Sequence, residues 1–171
     1  MSGRASEGKG AQVKQRLPNF GSCFVCGDRN PAGLGVRFRV EEGTVFATFT
    51  PREPHMGYRG ITHGGVLAAL LDETMGWSPA VRNRRFCVAV EITVRFLKPL
   101  PLGTEVVVTG RTVSDSRRIW EAEGEVAGAD GQVYARGRGR YVPLSDEETR
   151  AVLDYLTFYE GCVAPESLHR P

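Results

Sequence analysis

No run in this 171-residue chain approaches the roughly 18 consecutive apolar residues that a membrane-spanning helix requires. Charge of one sign is missing too. Twenty-two Lys and Arg stand against 20 Asp and Glu, a formal net charge of +2. Global electrostatics therefore point to neither nucleic acid nor a membrane surface as a partner. The first sixteen residues are polar and have no apolar core, so they do not read as a secretory signal. A flexible tail over 1–17 and a cytoplasmic location are expected. Cysteine is scarce, four in all, and in a reducing compartment these remain thiols. Cys23 and Cys26 form a CxxC, but no second pair follows, and no His stands at zinc-ligand spacing. A βαβ pattern, which a thioredoxin-type motif needs, is also absent. The expectation is therefore no metal and no cofactor, with the two thiols simply packed in their segment.

What is present is an ordinary soluble composition, 41% hydrophobic and 25% charged, enough for one domain with short extensions. Residues 18–33 are irregular and rich in Gly, Pro and Asn. Two alternating runs, 34–40 and 44–50, flank Glu41-Glu42-Gly43 and predict a hairpin. After a loop over 51–62, residues 63–77 lose the period of two and read as a helix that is apolar almost all round, hence buried. Four strands are expected after it, at 86–98, 103–113, 117–128 and 132–142. In the first, Val88, Val90, Ile92, Val94 and Phe96 would share a face. Asp130-Gly131 suits the turn between the last two. Ser145 with Glu148 three residues on is a capping-box pattern. It opens a final helix whose apolar stripe is Val152, Leu153, Leu156 and Tyr159. One apolar helix and a long antiparallel sheet predict an α+β fold, the curved sheet wrapped around the central helix. The main domain is expected over 18–144, with a C-terminal helical extension over 145–171.

Asp72 is the outstanding chemical feature. It lies two turns into the apolar helix, with Ala68, Ala69, Met75 and Gly76 at i±3 and i±4 and no cation among them. An unpaired buried carboxylate is costly and needs either a partner or a purpose. At about 100° per residue, Gly65, Ala68, Ala69 and Gly76 project near it, and this strip of small side chains leaves room for a ligand. Glu73 is the rival acid, suited to acid–base work or to a salt bridge with a strand Arg. His63-Gly64-Gly65 begins the same helix, where free N–H groups can stabilise an oxyanion and glycine admits close approach. His63 could cap the helix or orient the loop.

With these residues assembled, residues 57–76 (GYRGITHGGVLAALLDETMG), 23–34 (CFVCGDRNPAGL) and 91–99 (EITVRFLKP) together make a pattern that resembles the hotdog-fold acyl-CoA thioesterases. The resemblance is to the branch related to the phenylacetate-pathway thioesterases, over roughly residues 20–144. It implies a hotdog fold, hydrolysis of an acyl-CoA to an acid and free coenzyme A, and assembly as a homodimer or homotetramer. It implies Asp72 as general base or nucleophile, the Gly64 N–H as oxyanion donor, and His63 as the residue shaping the loop. Asp72 would then face the Gly64 loop of a second subunit. Two positions depart from the pattern: Met56 and Gly57 stand where some relatives hold Asn or Gln, and Ala89 where some hold Ser or Thr. Gly65, Glu73 and Ala89 are expected to touch substrate. The coenzyme A phosphates are expected at Arg82, Arg84 and Arg85 after the helix and at Arg136 and Arg138 on the last strand, since Arg forks match phosphate. The alternative use of those cations is solvation of the surface. A non-catalytic acyl-CoA-binding module and, lower in rank, a hotdog hydratase or dehydratase are the competing functions.

Overall fold

The structure, a computed structural model, describes residues 15–170. The chain runs β1 (Gln15–Arg16), β2 (Arg39–Glu41), β3 (Thr44–Phe49), α1 (Gly64–Asn83), β4 (Cys87–Phe96), β5 (Val106–Asp115), β6 (Trp120–Gly128), β7 (Val133–Pro143) and α2 (Asp146–Tyr155). The strands form one antiparallel sheet in the order β1-β2-β3-β5-β6-β7-β4. This is the hotdog arrangement expected from the sequence, a curved sheet around a single central helix. Because α1 crosses over before β4, that strand lands at the far edge, and among the described residues its outer side has no strand beside it.

A row of glycines seats the helix. Gly110 of β5 pairs with Gly124 of β6, which pairs with Gly137 of β7. A Cβ on Gly110 would sit 2.5 Å from the Thr74 carbonyl oxygen, and one on Gly124 would sit 2.9 Å from the Met75 side chain. The missing side chains let α1 lie directly on the sheet backbone. Leu67, Leu70, Leu71 and Met75 then pack against Val45, Val106, Val108, Ala122 and Val126. α1 extends beyond the expected end at 77, through Pro79 to Asn83. Trp77, Ser78, Pro79 and Ala80 are all buried, and that packing offsets the hydrogen bond lost at the proline. Arg84 ends the helix in the left-handed conformation, φ 54°.

Four expectations need correction. Residues 1–14 of the expected tail lie outside the described residues, but Gln15 and Arg16 pair with β2 and Leu17 is only 3% exposed. Residues 34–38 are not a hairpin strand. Leu34 and Val36 donate to the carbonyls of Phe24 and Val25 instead, so their alternating burial arises from pairing with the irregular segment. In β4 a bulge between Ala89 and Glu91 inserts Val90 and reverses the phase. Ala89 pairs with buried Tyr141 and lines the cavity beside Asp72 while staying exposed; Ile92 and Val94 beyond the bulge pack on the core, and Val88 and Val90 are 50% and 56% exposed. The capping box at Ser145 and Glu148 forms as expected, but α2 stops at Tyr155. Leu156 turns extended, and Thr157 pairs with Asn19, tying the C-terminal segment to the N-terminal one.

Candidate active site

Helix α1 presents two chemical features two turns apart. At its start, the His63 Nδ1 accepts the Gly65 N–H at 2.9 Å, and the His63 N–H donates to the His55 carbonyl at 2.8 Å. His63 is thus the capping residue, held in place by its own backbone. That leaves the Gly64 N–H, which makes no hydrogen bond among the described residues. The Phe96 ring lies against Gly64: a Cβ there would be 3.1 Å from it. An unpaired backbone donor at a helix N-terminus attracts developing negative charge.

Asp72 is partly buried, and its carboxylate has neither a hydrogen bond nor an ion pair among the described residues. Burial alone holds its carboxyl above the usual carboxylate range. The Tyr141 hydroxyl donates to the Asp72 carbonyl at 3.3 Å. The Cys87 thiol is pushed up to about 12, mainly by burial and also by the charge of Asp72. Asp72 opens into a cavity of about 290 Å³ whose other walls include Gly76, Trp77, Phe86, Ala89 and Tyr141. The strip of small residues contributes Gly76 to these walls, but aromatic rings form much of the rest.

Glu73 lines the same cavity. Among the described residues it meets no Arg: its Oε2 lies 3.5 Å from the Cys23 Sγ, and burial pushes its carboxyl up to about 7. The Cys23 thiol is lowered to about 5, first by its hydrogen bond with Cys26 and then by the N–H groups of Cys26 and Val25. The hydrogen bond with Cys23, then burial and the Glu73 charge, push Cys26 the other way. The sequence reading missed this grouping of two thiols with a carboxylate, as well as the contact of Tyr141 and Cys87 with Asp72. The CxxC was visible, but its partner is 50 residues away in the chain.

The five Arg proposed as phosphate contacts are dispersed. Arg136 and Arg138 alternate with Gly137 on β7 and project from the sheet face opposite α1, where they pair with Glu125 at 2.8 Å and Glu121 at 3.0 Å. Arg82 pairs with Asp115 at 2.9 Å. Arg84 donates to the carbonyls of Glu166 and His169. Arg85 pairs with Asp146 at 2.8 Å and precedes Phe86 of the cavity wall. The structure therefore brings together Asp72, Glu73 and Ala89, sets Gly64, Gly65 and His63 at the other end of the helix, and leaves Arg136 and Arg138 on the far face.

Residues 59–135 match the family model of the thioesterase superfamily. The chain has the hotdog fold and is similar to the thioesterase superfamily over these residues. The structure is similar to that of a thioesterase superfamily protein with 30% sequence identity and a TM-score of 0.67, over 71% of this chain and 60% of that one. The domain thus spans under two thirds of that relative. It is also similar to a Streptococcus mutans UA159 protein bound to acetyl CoA, with 24% identity and a TM-score of 0.58 over 61% of this chain and 84% of that one. A third is the E. coli PaaI protein from the phenylacetic acid degradation operon, with 21% identity and a TM-score of 0.61 over 66% and 81%. The last two likenesses are of fold. A search of curated proteins gave no match. No helix among the described residues is long and apolar enough to cross a membrane.

Proposed function

We propose that this hotdog domain belongs to the thioesterase superfamily and hydrolyses an acyl-CoA to a carboxylic acid and free coenzyme A, as a cytoplasmic homodimer or a tetramer built from such dimers. The observation that carries this reading is the unpaired, partly buried Asp72 on the wall of an aromatic-lined cavity. Asp72 takes a proton from water as the water oxygen bonds to the thioester carbonyl carbon. The carbonyl oxygen becomes an oxyanion and is held by the Gly64 N–H of the other subunit. Collapse of this intermediate breaks the C–S bond, and the thiolate leaves and takes up the proton. Direct attack by the carboxylate, followed by hydrolysis of the anhydride, uses the same two groups.

The two-subunit site follows from lengths. Gly64 and Asp72 are eight residues apart, about 12 Å along the helix, too far for both to serve one thioester carbon. β4 offers the remedy. It is a ten-residue edge strand with exposed Val88, Val90 and Phe96. An uncovered edge of this kind invites pairing. One end carries Ala89 beside Asp72 and the other carries Phe96 against Gly64. Antiparallel pairing of β4 with its copy sets one protomer's Asp72 end beside its partner's Gly64 end.

The choice of coenzyme A as the handle is supported by the neighbour bound to acetyl CoA. Arg85, between the cavity wall and α2, is the best-placed phosphate contact of the five Arg. The test is free-thiol release from short, long and aromatic acyl-CoAs alongside the matching N-acetylcysteamine thioesters. A higher kcat/KM for coenzyme A esters, falling with salt, is expected; equal, salt-insensitive values remove coenzyme A from the proposal. A non-catalytic acyl-CoA-binding module is the second reading. It is favoured by Met56, Gly57 and Ala89 standing where polar groups would hold the attacking water, and binding without thiol release would establish it.

A further inference from the structure

The segment around Cys23 is built as a ligand loop. The Cys23 Sγ accepts the Val25 N–H at 3.3 Å and the Cys26 N–H at 3.4 Å, and the Gly27 N–H closes on the Cys23 carbonyl at 3.0 Å. A Cβ on Gly27 would lie 2.3 Å from the Cys23 oxygen and 2.6 Å from the Gly21 oxygen, so the turn requires glycine there. The loop folds both sulfurs towards α1, where Glu73 meets them. Its two carboxylate oxygens are 3.5 and 3.8 Å from the Cys23 Sγ. Ligand atoms of Cys23, Cys26 and Glu73 all lie within 4.8 Å of one another.

The Cys23–Glu73 spacing matches one edge of a coordination shell, and the Cys26 ligand atom lies within reach of both. With metal–sulfur bonds of about 2.3 Å and metal–oxygen bonds of about 2.0–2.2 Å, the edges of a tetrahedron are roughly 3.5–3.8 Å long. N–H groups donated to a sulfur stabilise its thiolate form, which is the form that binds metal. The charge balance points the same way. Two thiols and a carboxylate gather at one cavity wall, and no Lys or Arg lines that cavity. Once deprotonated, such ligands would need a cation to balance their buried charge. The single CxxC lacks a second cysteine pair in the sequence, but the fold supplies a third ligand from α1.

We propose that Cys23, Cys26 and Glu73 hold one zinc ion, with the fourth coordination position open to the cavity that contains Asp72. Two sulfur ligands select a soft divalent ion over magnesium or calcium. Three protein ligands with one open position distinguish the site from a closed structural one. The ion anchors the N-terminal segment to the central helix at the wall of the candidate active site. The proposal stands on the ligand geometry and does not depend on the thioesterase reading.

The experiment uses the full chain, purified under reducing conditions without chelator. Zinc is titrated in competition with a chromophoric chelator, and bound metal is measured by mass spectrometry after dialysis. One equivalent per chain is expected. Cobalt in its place should give thiolate-to-metal charge-transfer absorption and intense visible bands of tetrahedral type. Cys23→Ser and Cys26→Ser should each weaken zinc at least about tenfold and remove charge-transfer intensity, since losing a ligand costs no less than losing an outer-shell partner. Glu73→Gln should weaken zinc while leaving the sulfur bands. Circular dichroism shows whether each variant folds, and the wild-type titration stands even where a variant does not. Zinc that dialyses away from the reduced wild-type protein would overturn the proposal. So would cobalt without charge-transfer bands, or unchanged affinity in folded Cys variants.

Discussion

Two inactive variants, Asp72→Asn and Gly64→Pro, should restore activity when combined in one dimer. Gly64 is the first residue of α1, a position where proline is tolerated because the missing N–H has no helical partner. His63 already has φ −63° and ψ 136°, a conformation suited to the residue before a proline. The added ring meets the end of the Phe96 ring, a residue 55% exposed in the single chain. Gly64→Pro thus removes the proposed donor at little structural cost, and loss of one such donor lowers kcat about 100- to 1,000-fold. On the proposed reading each site draws Asp72 from one protomer and Gly64 from the other, so a heterodimer of the two variants would keep one intact site and one doubly damaged site. Random assembly makes half of the dimers mixed, and once these are isolated by both tags they should show about one half of wild-type activity per chain. The assay is co-expression with two different tags, tandem purification and thiol release from the best acyl-CoA. Heterodimers no more active than the separate variants would refute the shared site and return both groups to one chain.

Gly110→Ala drives a Cβ to 2.5 Å from the Thr74 carbonyl oxygen, a backbone atom within α1. It should cost ~1–3 kcal/mol in urea unfolding, and an unchanged midpoint would show that the helix does not rest on the glycine row. His55 is buried, accepts the Arg52 N–H at its Nδ1 at 3.0 Å, and has its pKa lowered, first by burial and then by the Arg52 charge. The unfolded chain therefore takes the proton first, and stability should fall as pH drops below about 6.5. A His55→Gln variant should flatten that slope, and an equal slope would assign it elsewhere. Ala89→Leu narrows the Asp72 cavity and should lower kcat/KM for the longest accepted acyl group relative to the shortest by about tenfold or more. An unchanged ratio would mean that the acyl chain lies elsewhere.

The parts of the fold set by local pattern were legible in the sequence. The apolar helix, the strands of the main sheet and the capping box at Ser145 and Glu148 each follow from periodicity or from one spacing rule. Asp72 was legible because its helical neighbours are visible in the chain, and in the folded protein its carboxylate remains without a partner among the described residues. Features that depend on tertiary partners were not legible. Alternation along β4 cannot reveal that Val90 is an inserted residue, because the bulge is defined against Tyr141 and Arg140 of β7. Pro79 reads as a helix breaker until the burial around it is known. The Arg of β7 look free until β6 brings Glu121 and Glu125 opposite them. Cys23 and Cys26 look isolated until α1 delivers Glu73.

The central claim is that Asp72 performs chemistry on a bound thioester. Its most direct test is steady-state hydrolysis of the preferred acyl-CoA by Asp72→Asn, with thermal unfolding as the control. Asn keeps the shape and lacks the negative charge, so kcat should fall about 100- to 10,000-fold, with KM and melting temperature close to wild type. A folded Asp72→Asn protein whose kcat stays within about twofold of wild type would contradict the account, because an acid–base group contributes far more than that.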